Sequence, residues 1–136
     1  MPQDTAPVAG EAQAATKTIL LVEDDLAIGS VLVEALAQET PYQAILATDS
    51  HAALQIVRHC TPDLLILDYG LPDLNGIELY DRLHTNEALA ALPAILMTAS
   101  RHVPQQQLQQ RQLIFFRKPF ELDAFLATIE TLLTAP

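Results

Sequence analysis

Residues 63–76 read DLLILDYGLPDLNG. Four large apolar residues, Leu64, Leu65, Ile66 and Leu67, run without a break into the carboxylate of Asp68, and a turn-rich segment with Pro72 and the pair Asn75-Gly76 follows at once. A short run that is apolar at every position and bounded by turn residues is the pattern of a strand covered on both faces, as strands are inside a parallel sheet. The charge at its end then marks where the strand leaves the core for water.

Working outward, the chain alternates short apolar runs with helical spacing from Thr18 onward. TILLV (18–22) precedes DLAIGSVLVEALAQE (25–39), where Ile28, Val31, Leu32, Ala35 and Leu36 form the expected buried face. YQAILAT (42–48) precedes SHAALQIVRHC (50–60), with Ser50 as expected N-cap, Ala53, Leu54 and Val57 turned inward, and Pro62 closing the helix. After DLLILD, NGIELYDRLHT (75–85) spaces Ile77, Leu79, Tyr80 and Leu83 as a helix does. PAILMT (93–98) reads as a fourth strand, and RHVPQQQLQQR (101–111), with Leu108 as its strong apolar anchor, predicts at most a short, poorly buried helix. LIFF (113–116) is the fifth strand, and ELDAFLATIETLL (121–133) a helix presenting Leu122, Phe125, Leu126, Ile129, Leu132 and Leu133 on one side. Five strands alternating with five helices predict an α/β fold whose parallel sheet is covered on both faces, with ligands bound outside the carboxyl ends of the strands.

The 136 residues suit one domain, expected over 17–136, preceded by a mobile tail over 1–16 that is rich in Ala, Pro and Gln. Half the residues are hydrophobic but only 5% are aromatic, so the core is expected to be built from Leu, Ile, Val and Ala. A single cysteine, Cys60, excludes an intrachain disulfide. The formal charge of -10, with seven scattered Lys and Arg, argues against direct nucleic-acid binding and for a basic partner or a bound cation. No apolar run approaches the roughly 18 residues needed to cross a bilayer, and the first residues lack the basic region and apolar block of a signal peptide, so no membrane contact and a cytoplasmic location are expected.

At the expected strand ends stand Glu23, Asp24 and Asp25 after the first, Asp68 at the end of the third, Thr98 at the end of the fourth and Lys118 after the fifth. If the first and third strands are neighbours, Asp24, Asp25 and Asp68 converge in one crevice. Two carboxylates about 5 Å apart repel by roughly 3 kcal/mol at an effective dielectric near 20, so a cation is expected among them. Oxygen donors with no His or Cys at hand favour Mg²⁺, and Lys118 adds a built-in positive charge. Cation, ammonium and hydroxyl around one carboxylate form the set that stabilises a transferring phosphoryl group, with Asp68 as nucleophile. Singly, each residue has a plainer role: Asp24 or Asp25 as a helix N-cap, Thr98 as a strand residue, Lys118 as a surface charge, Asp68 as a turn former.

The motifs ILLVEDD, LLILDYGLPDLNG, MTAS and FFRKPF, in this order over about Thr18 to Leu133, resemble the receiver domain of bacterial two-component response regulators, of the single-domain chemotaxis type. The resemblance implies a doubly wound, flavodoxin-like sheet of order 2-1-3-4-5. It implies that Asp68 accepts a phosphoryl group from a histidine kinase or phosphotransfer protein, and that Asp24, Asp25, Asp68 and the carbonyl of Gly70 hold Mg²⁺. Lys118 would contact the phosphoryl group, Thr98 would hydrogen-bond it, and Phe115 would be the aromatic switch that turns inward when Thr98 moves. Pro72 and Gly76 would shape the loop after the third strand, and Pro119 would follow Lys118 through a cis peptide bond. Asp68 to Thr98 spans 30 residues as in the family, whereas Thr98 to Lys118 spans 20, about two fewer, with QQRQL where a Gly-Ala pair is common.

The expected function is therefore phosphorylation-dependent switching of a protein-binding surface, or onward relay, with no output domain expected after Pro136. A receiver-like interaction module indifferent to phosphorylation is the alternative. An aspartyl phosphohydrolase would carry a second acid two residues after the nucleophile, where Gly70 stands, and a flavin-mononucleotide carrier would not have so acidic a first loop. A homodimer, if formed, is expected through the last strand and helix, with Phe120 or Leu133 available to seal it.

Overall fold

The computed structural model describes residues 16–134; the tail expected over 1–16 lies, except for Thr16, outside the described residues. Five parallel strands, β1 (Thr18–Val22), β2 (Gln43–Ala47), β3 (Leu64–Asp68), β4 (Ala94–Thr98) and β5 (Ile114–Arg117), form one sheet in the order β2-β1-β3-β4-β5. The helices are α1 (Leu26–Glu39), α2 (Ser50–Ile56), α3 (Gly76–His84), α4 (Gln105–Gln110) and α5 (Leu122–Thr134), with a 3₁₀ turn at Glu87–Leu89. The order expected from the resemblance is the order found.

Side chains on a strand alternate between faces, and here the alternation divides the core in two. Leu20, Val22, Leu65, Leu67 and Leu96 meet Ile77, Leu79 and Leu83 of α3 and Leu108 of α4. Ile19, Leu21, Leu64, Ile66, Ile95 and Met97 meet Leu32 and Leu36 of α1 and Phe125, Ile129 and Leu133 of α5. All four residues Leu64–Leu67 are fully buried, which is why no polar residue alternates along β3.

Several local expectations change. Helix α1 does not bury Ile28 or Val31, which are 39% and 66% exposed. Its buried residues are Gly29, Leu32 and Leu36, because Gly29 lets the helix approach so closely that an added Cβ would lie 2.8 Å from Leu46 Cδ1. The cap of α2 is Asp49, which accepts from the Ala52 N–H, while Ser50 is the first helical residue and is buried. That helix ends at Ile56, well before Pro62. Helix α4 is as short as expected and buries Leu108. Just beyond it, Gln112 adopts a positive φ of 56°, the conformation a glycine takes without strain. Leu133 is buried within its own core, and Phe120 stacks on Phe125 at 4.6 Å, so both residues proposed for a dimer seal are engaged internally.

Candidate functional site: an acidic crevice at the strand ends

Strands β1 and β3 are direct neighbours, with Val22 opposite Leu67, so the residues following both emerge side by side. Asp68 ends β3 one position after the last fully buried leucine, and only 6% of it is exposed. The chain leaves β3 under control: the Tyr69 N–H donates to Met97 O at 2.8 Å, and the Gly76 N–H to Tyr69 O at 3.0 Å. Gly76 is required for contact rather than for a turn. An added Cβ would stand 2.7 Å from both the Asp68 carbonyl oxygen and Leu96 Cδ1, so α3 is seated directly on the backbone of Asp68. Helix α3 opens with a reciprocal cap in which Asn75 accepts from the Glu78 N–H and Glu78 accepts from the Asn75 N–H.

Asp73, which sequence reasoning passed over, fastens this loop to a different element. Its carboxylate accepts from the N–H groups of Ser50 and His51, each at 3.1 Å, and from that of Leu74 at 2.9 Å. Desolvation works to raise its pKa, but the donated hydrogen bonds from Ser50, Leu74 and His51 outweigh it and bring the group down to about 2. The acid inside LPDLNG thus meets N–H groups at the start of α2 that have no partner within that helix.

The acidic group is not the one expected. Carboxylate oxygens of Glu23, Asp24 and Asp68 lie within 4.8 Å of one another. The structure does not bring Asp25 into this group, because its side chain caps α1 by accepting from the Ile28 N–H at 3.1 Å. Glu23 takes the inner place: it extends the sheet, donating its N–H to Ala47 O at 3.0 Å, and is buried to 1% exposure. The clue was positional, since a helix beginning at Leu26 makes Asp25 its N-cap and leaves Glu23 and Asp24 as the residues directly after the strand.

Lys118 joins the group from β5. Its backbone N–H donates to Thr98 O at 2.8 Å, and the Lys118–Pro119 peptide bond is cis. Its ammonium donates to Glu23 Oε1 at 2.6 Å and lies 2.9 Å from Asp68 Oδ1. Burial alone would lower the lysine pKa, but the contacts with Glu23 and Asp68 override it and raise the value. Glu23 is raised as well, by desolvation first, with the Lys118 hydrogen bond opposing and the charge of Asp68 adding to the rise. The ammonium stands between two carboxylates and is charged, whereas Glu23 has one ammonium and the repulsion of Asp68, so the balance of charge favours the lysine.

Thr98 is 4% exposed, and its Oγ1 accepts from the Ser100 N–H at 3.0 Å, which leaves its own O–H to donate. Asp68, Tyr69, Gly70, Thr98, Ala99, Ser100 and Lys118 line an open crevice of about 420 Å³. Gly70 has no positive φ, and a Cβ there would meet only Asp68 Oδ2, at 3.9 Å, so its backbone is one any residue could adopt. Phe115 is half-buried among the α3 and α4 residues of the core, with the Arg117 guanidinium carbon 5.4 Å from its ring centroid. Beside the crevice, Ile28, Leu32, Ala99, Lys118, Pro119 and Phe120 line an apolar hollow of about 410 Å³.

Glu23, Asp24 and Asp68 offer hard oxygen donors in reach of one ion, a set that fits Mg²⁺. Among proteins of known role, the phosphate regulon transcriptional regulatory protein PhoB of Pseudomonas aeruginosa is 31% identical over 119 residues, covering 86% of this chain, which spans about half (52%) of PhoB. The polar-differentiation response regulator DivK of Brucella ovis is 28% identical over 120 residues, covering 87% of this chain and 97% of DivK. The crystal structure of response regulator TrrA from Thermotoga maritima, in complex with Mg²⁺-BeF, superposes with a TM-score of 0.75 at 26% identity, covering 86% of this chain and 99% of that one. The response regulator receiver domain matches residues 19–130, and with this sheet order and this crevice the chain belongs to that family.

Proposed function

We propose that this chain is a phosphoacceptor switch in which Asp68 takes a phosphoryl group from a phosphohistidine on a sensor histidine kinase or phosphotransfer protein. The observation that carries this reading is the placement of Asp68: nearly buried, 2.9 Å from the Lys118 ammonium and grouped with Glu23 and Asp24. A carboxylate oxygen of Asp68 attacks phosphorus, the P–N bond to the donor imidazole breaks, and the imidazole nitrogen leaves with the electron pair. An acyl phosphate forms on Asp68. Mg²⁺, held by Glu23, Asp24, Asp68 and the Gly70 carbonyl, would neutralise charge on the phosphoryl oxygens, as the Mg²⁺-BeF complex of TrrA suggests.

Lys118, charged and already in the crevice, pairs with the new phosphoryl oxygens in place of the Asp68 carboxylate. Thr98 turns its free O–H toward them, and the space it leaves admits Phe115, so the chemistry at Asp68 reaches the α4–β5 face as a shift between two packings. The donor has to bring its histidine to the crevice mouth, and the apolar rim suits this. Leu26 (62% exposed), Ile28, Val31 and Leu122 (40%) stand exposed, with the apolar hollow between α1 and the turn after β5. The acidic balance of the chain favours a donor with basic residues around that contact. A cytoplasmic site of action suits the lone, unpaired Cys60.

Intact mass after incubation with Mg²⁺ and acetyl phosphate tests the reading. The expected result is one added phosphoryl group, lost in Asp68→Asn. No gain, or a gain that survives in Asp68→Asn, overturns it.

A further inference from the structure

The Arg117 side chain belongs to neither the crevice nor the core, yet it joins two parts of the switch. Thr98 and Arg117 are register partners across β4 and β5, and Arg117 shares a sheet face with Phe115, two residues before it. Its Nη1 donates a hydrogen bond to the Ser100 carbonyl, and its guanidinium lies over the Phe115 ring at 5.4 Å from the centroid. Ser100 is thereby held at both ends, because its N–H donates to Thr98 Oγ1 at 3.0 Å. Ser100 Oγ also accepts from the His102 N–H at 3.1 Å, which extends the tether along the loop before α4. A continuous line of contacts runs from Thr98 through Ser100 and Arg117 to Phe115.

We propose that Arg117 is a positioning residue that latches the resting switch, tying the loop after β4 to the aromatic ring so that neither rearranges without the other. Phe115 is a phenylalanine, so its ring has no hydroxyl with which to anchor itself in either position. The guanidinium supplies that anchor through the ring face, while its donor fork reaches the Ser100 carbonyl. When Thr98 swings toward a phosphoryl group, the Ser100 N–H loses its acceptor. The loop then shifts, and Arg117 has to leave either the carbonyl or the ring. Two exposed contacts of this kind hold the resting arrangement by enough to make its loss visible as a population shift, not enough to lock it.

The inference rests on the phosphoacceptor reading and is tested by binding of Mg²⁺-beryllofluoride, an acyl-phosphate mimic, to four proteins: the unsubstituted chain, Arg117→Ala, Phe115→Leu and the double variant. Phe115→Leu keeps bulk in the core but removes the ring face. Arg117→Ala is expected to bind the mimic roughly three- to tenfold more tightly, since it frees the active arrangement from the latch. In the Phe115→Leu background the gain from Arg117→Ala is expected to fall by at least about half, the mark of coupling between the two side chains. Thermal melts of all four confirm folding, and a purely structural Arg117 would lower the melting temperature while leaving the affinity unchanged. Tight binding by the unsubstituted chain together with an unchanged affinity in Arg117→Ala, or a gain undiminished by Phe115→Leu, overturns the latch alone. No binding by the unsubstituted chain overturns the phosphoacceptor reading and the latch with it.

Discussion

Replacing Gly76 by alanine should damage this protein far more than the same change at Gly70, six residues earlier in the same loop. At Gly76 the new Cβ would be 2.7 Å from the Asp68 carbonyl oxygen, 2.7 Å from Leu96 Cδ1 and 3.1 Å from the Asp68 carbonyl carbon. Two of these obstacles are backbone atoms and cannot rotate away, and the third belongs to a fully buried side chain. Overpacking of this kind costs about 1–3 kcal/mol. The better helix propensity of alanine returns a fraction of the ~1 kcal/mol seen in helix interiors, since Gly76 is the first residue of α3. The net loss is about 1–2 kcal/mol, or a melting temperature lower by about 3–8 °C for a domain of this size. Relief of the clash displaces either α3 or the end of β3, so the rate of phosphorylation of Asp68 by acetyl phosphate should fall several-fold as well. At Gly70 the nearest atom to the new Cβ is Asp68 Oδ2 at 3.9 Å, an ordinary contact, and stability should stay within about 0.5 kcal/mol. Thermal melting and phosphorylation rates of the two variants decide the matter. A Gly76→Ala protein as stable and as reactive as its parent, or a Gly70→Ala protein equally damaged, would refute the reasoning.

Three further outcomes follow from the site and its supports. Asp24→Asn should weaken Mg²⁺ binding roughly tenfold or more by calorimetry, because it removes a charged donor, whereas Asp25→Asn should alter it by less than about threefold, since asparagine caps α1 as well as aspartate does. Asp73→Ala should lose about 1 kcal/mol at neutral pH, a figure reduced for solvent screening because the side chain is exposed. The folded pKa of about 2 lies below the unfolded value near 3.8, so this contribution is whole above about pH 4 and fades as the pH falls through 2. Urea melts of parent and variant should therefore converge in acid, and a gap that persists at pH 2 would contradict the assignment. Gln112→Gly should raise stability by about 0.5 kcal/mol, because relief of the left-handed φ of 56° outweighs the extra freedom of an unfolded glycine; a urea midpoint below that of the parent would count against it.

The sheet was legible from residues 63–76 because a strand buried on both faces has no alternation to misread, and Leu64 through Leu67 are all fully buried. Helix α1 was legible as a helix but not in its orientation. Hydropathy put Ile28 and Val31 inside, while the face that packs is chosen by the residue that permits the closest approach, Gly29 against Leu46. The same limit applied to VEDD. Composition announces an acidic cluster, but which carboxylate turns inward depends on where the strand ends and the helix begins, a boundary one residue wide. Asp73 escaped notice for a related reason: its partners, Ser50 and His51, stand more than twenty residues away in sequence, and no local pattern couples them.

The ion pairs of Lys118 with Glu23 and Asp68 bear on how such a protein senses its surroundings. Because the lysine offsets part of the charge of Glu23 and Asp68 from within the chain, the fold carries one counter-ion of its own beside the acidic group. On the phosphoacceptor reading proposed above, a Mg²⁺ ion would complete a charge balance that the chain has already begun, and its removal should slow the reaction with a donor by more than it lowers the melting temperature.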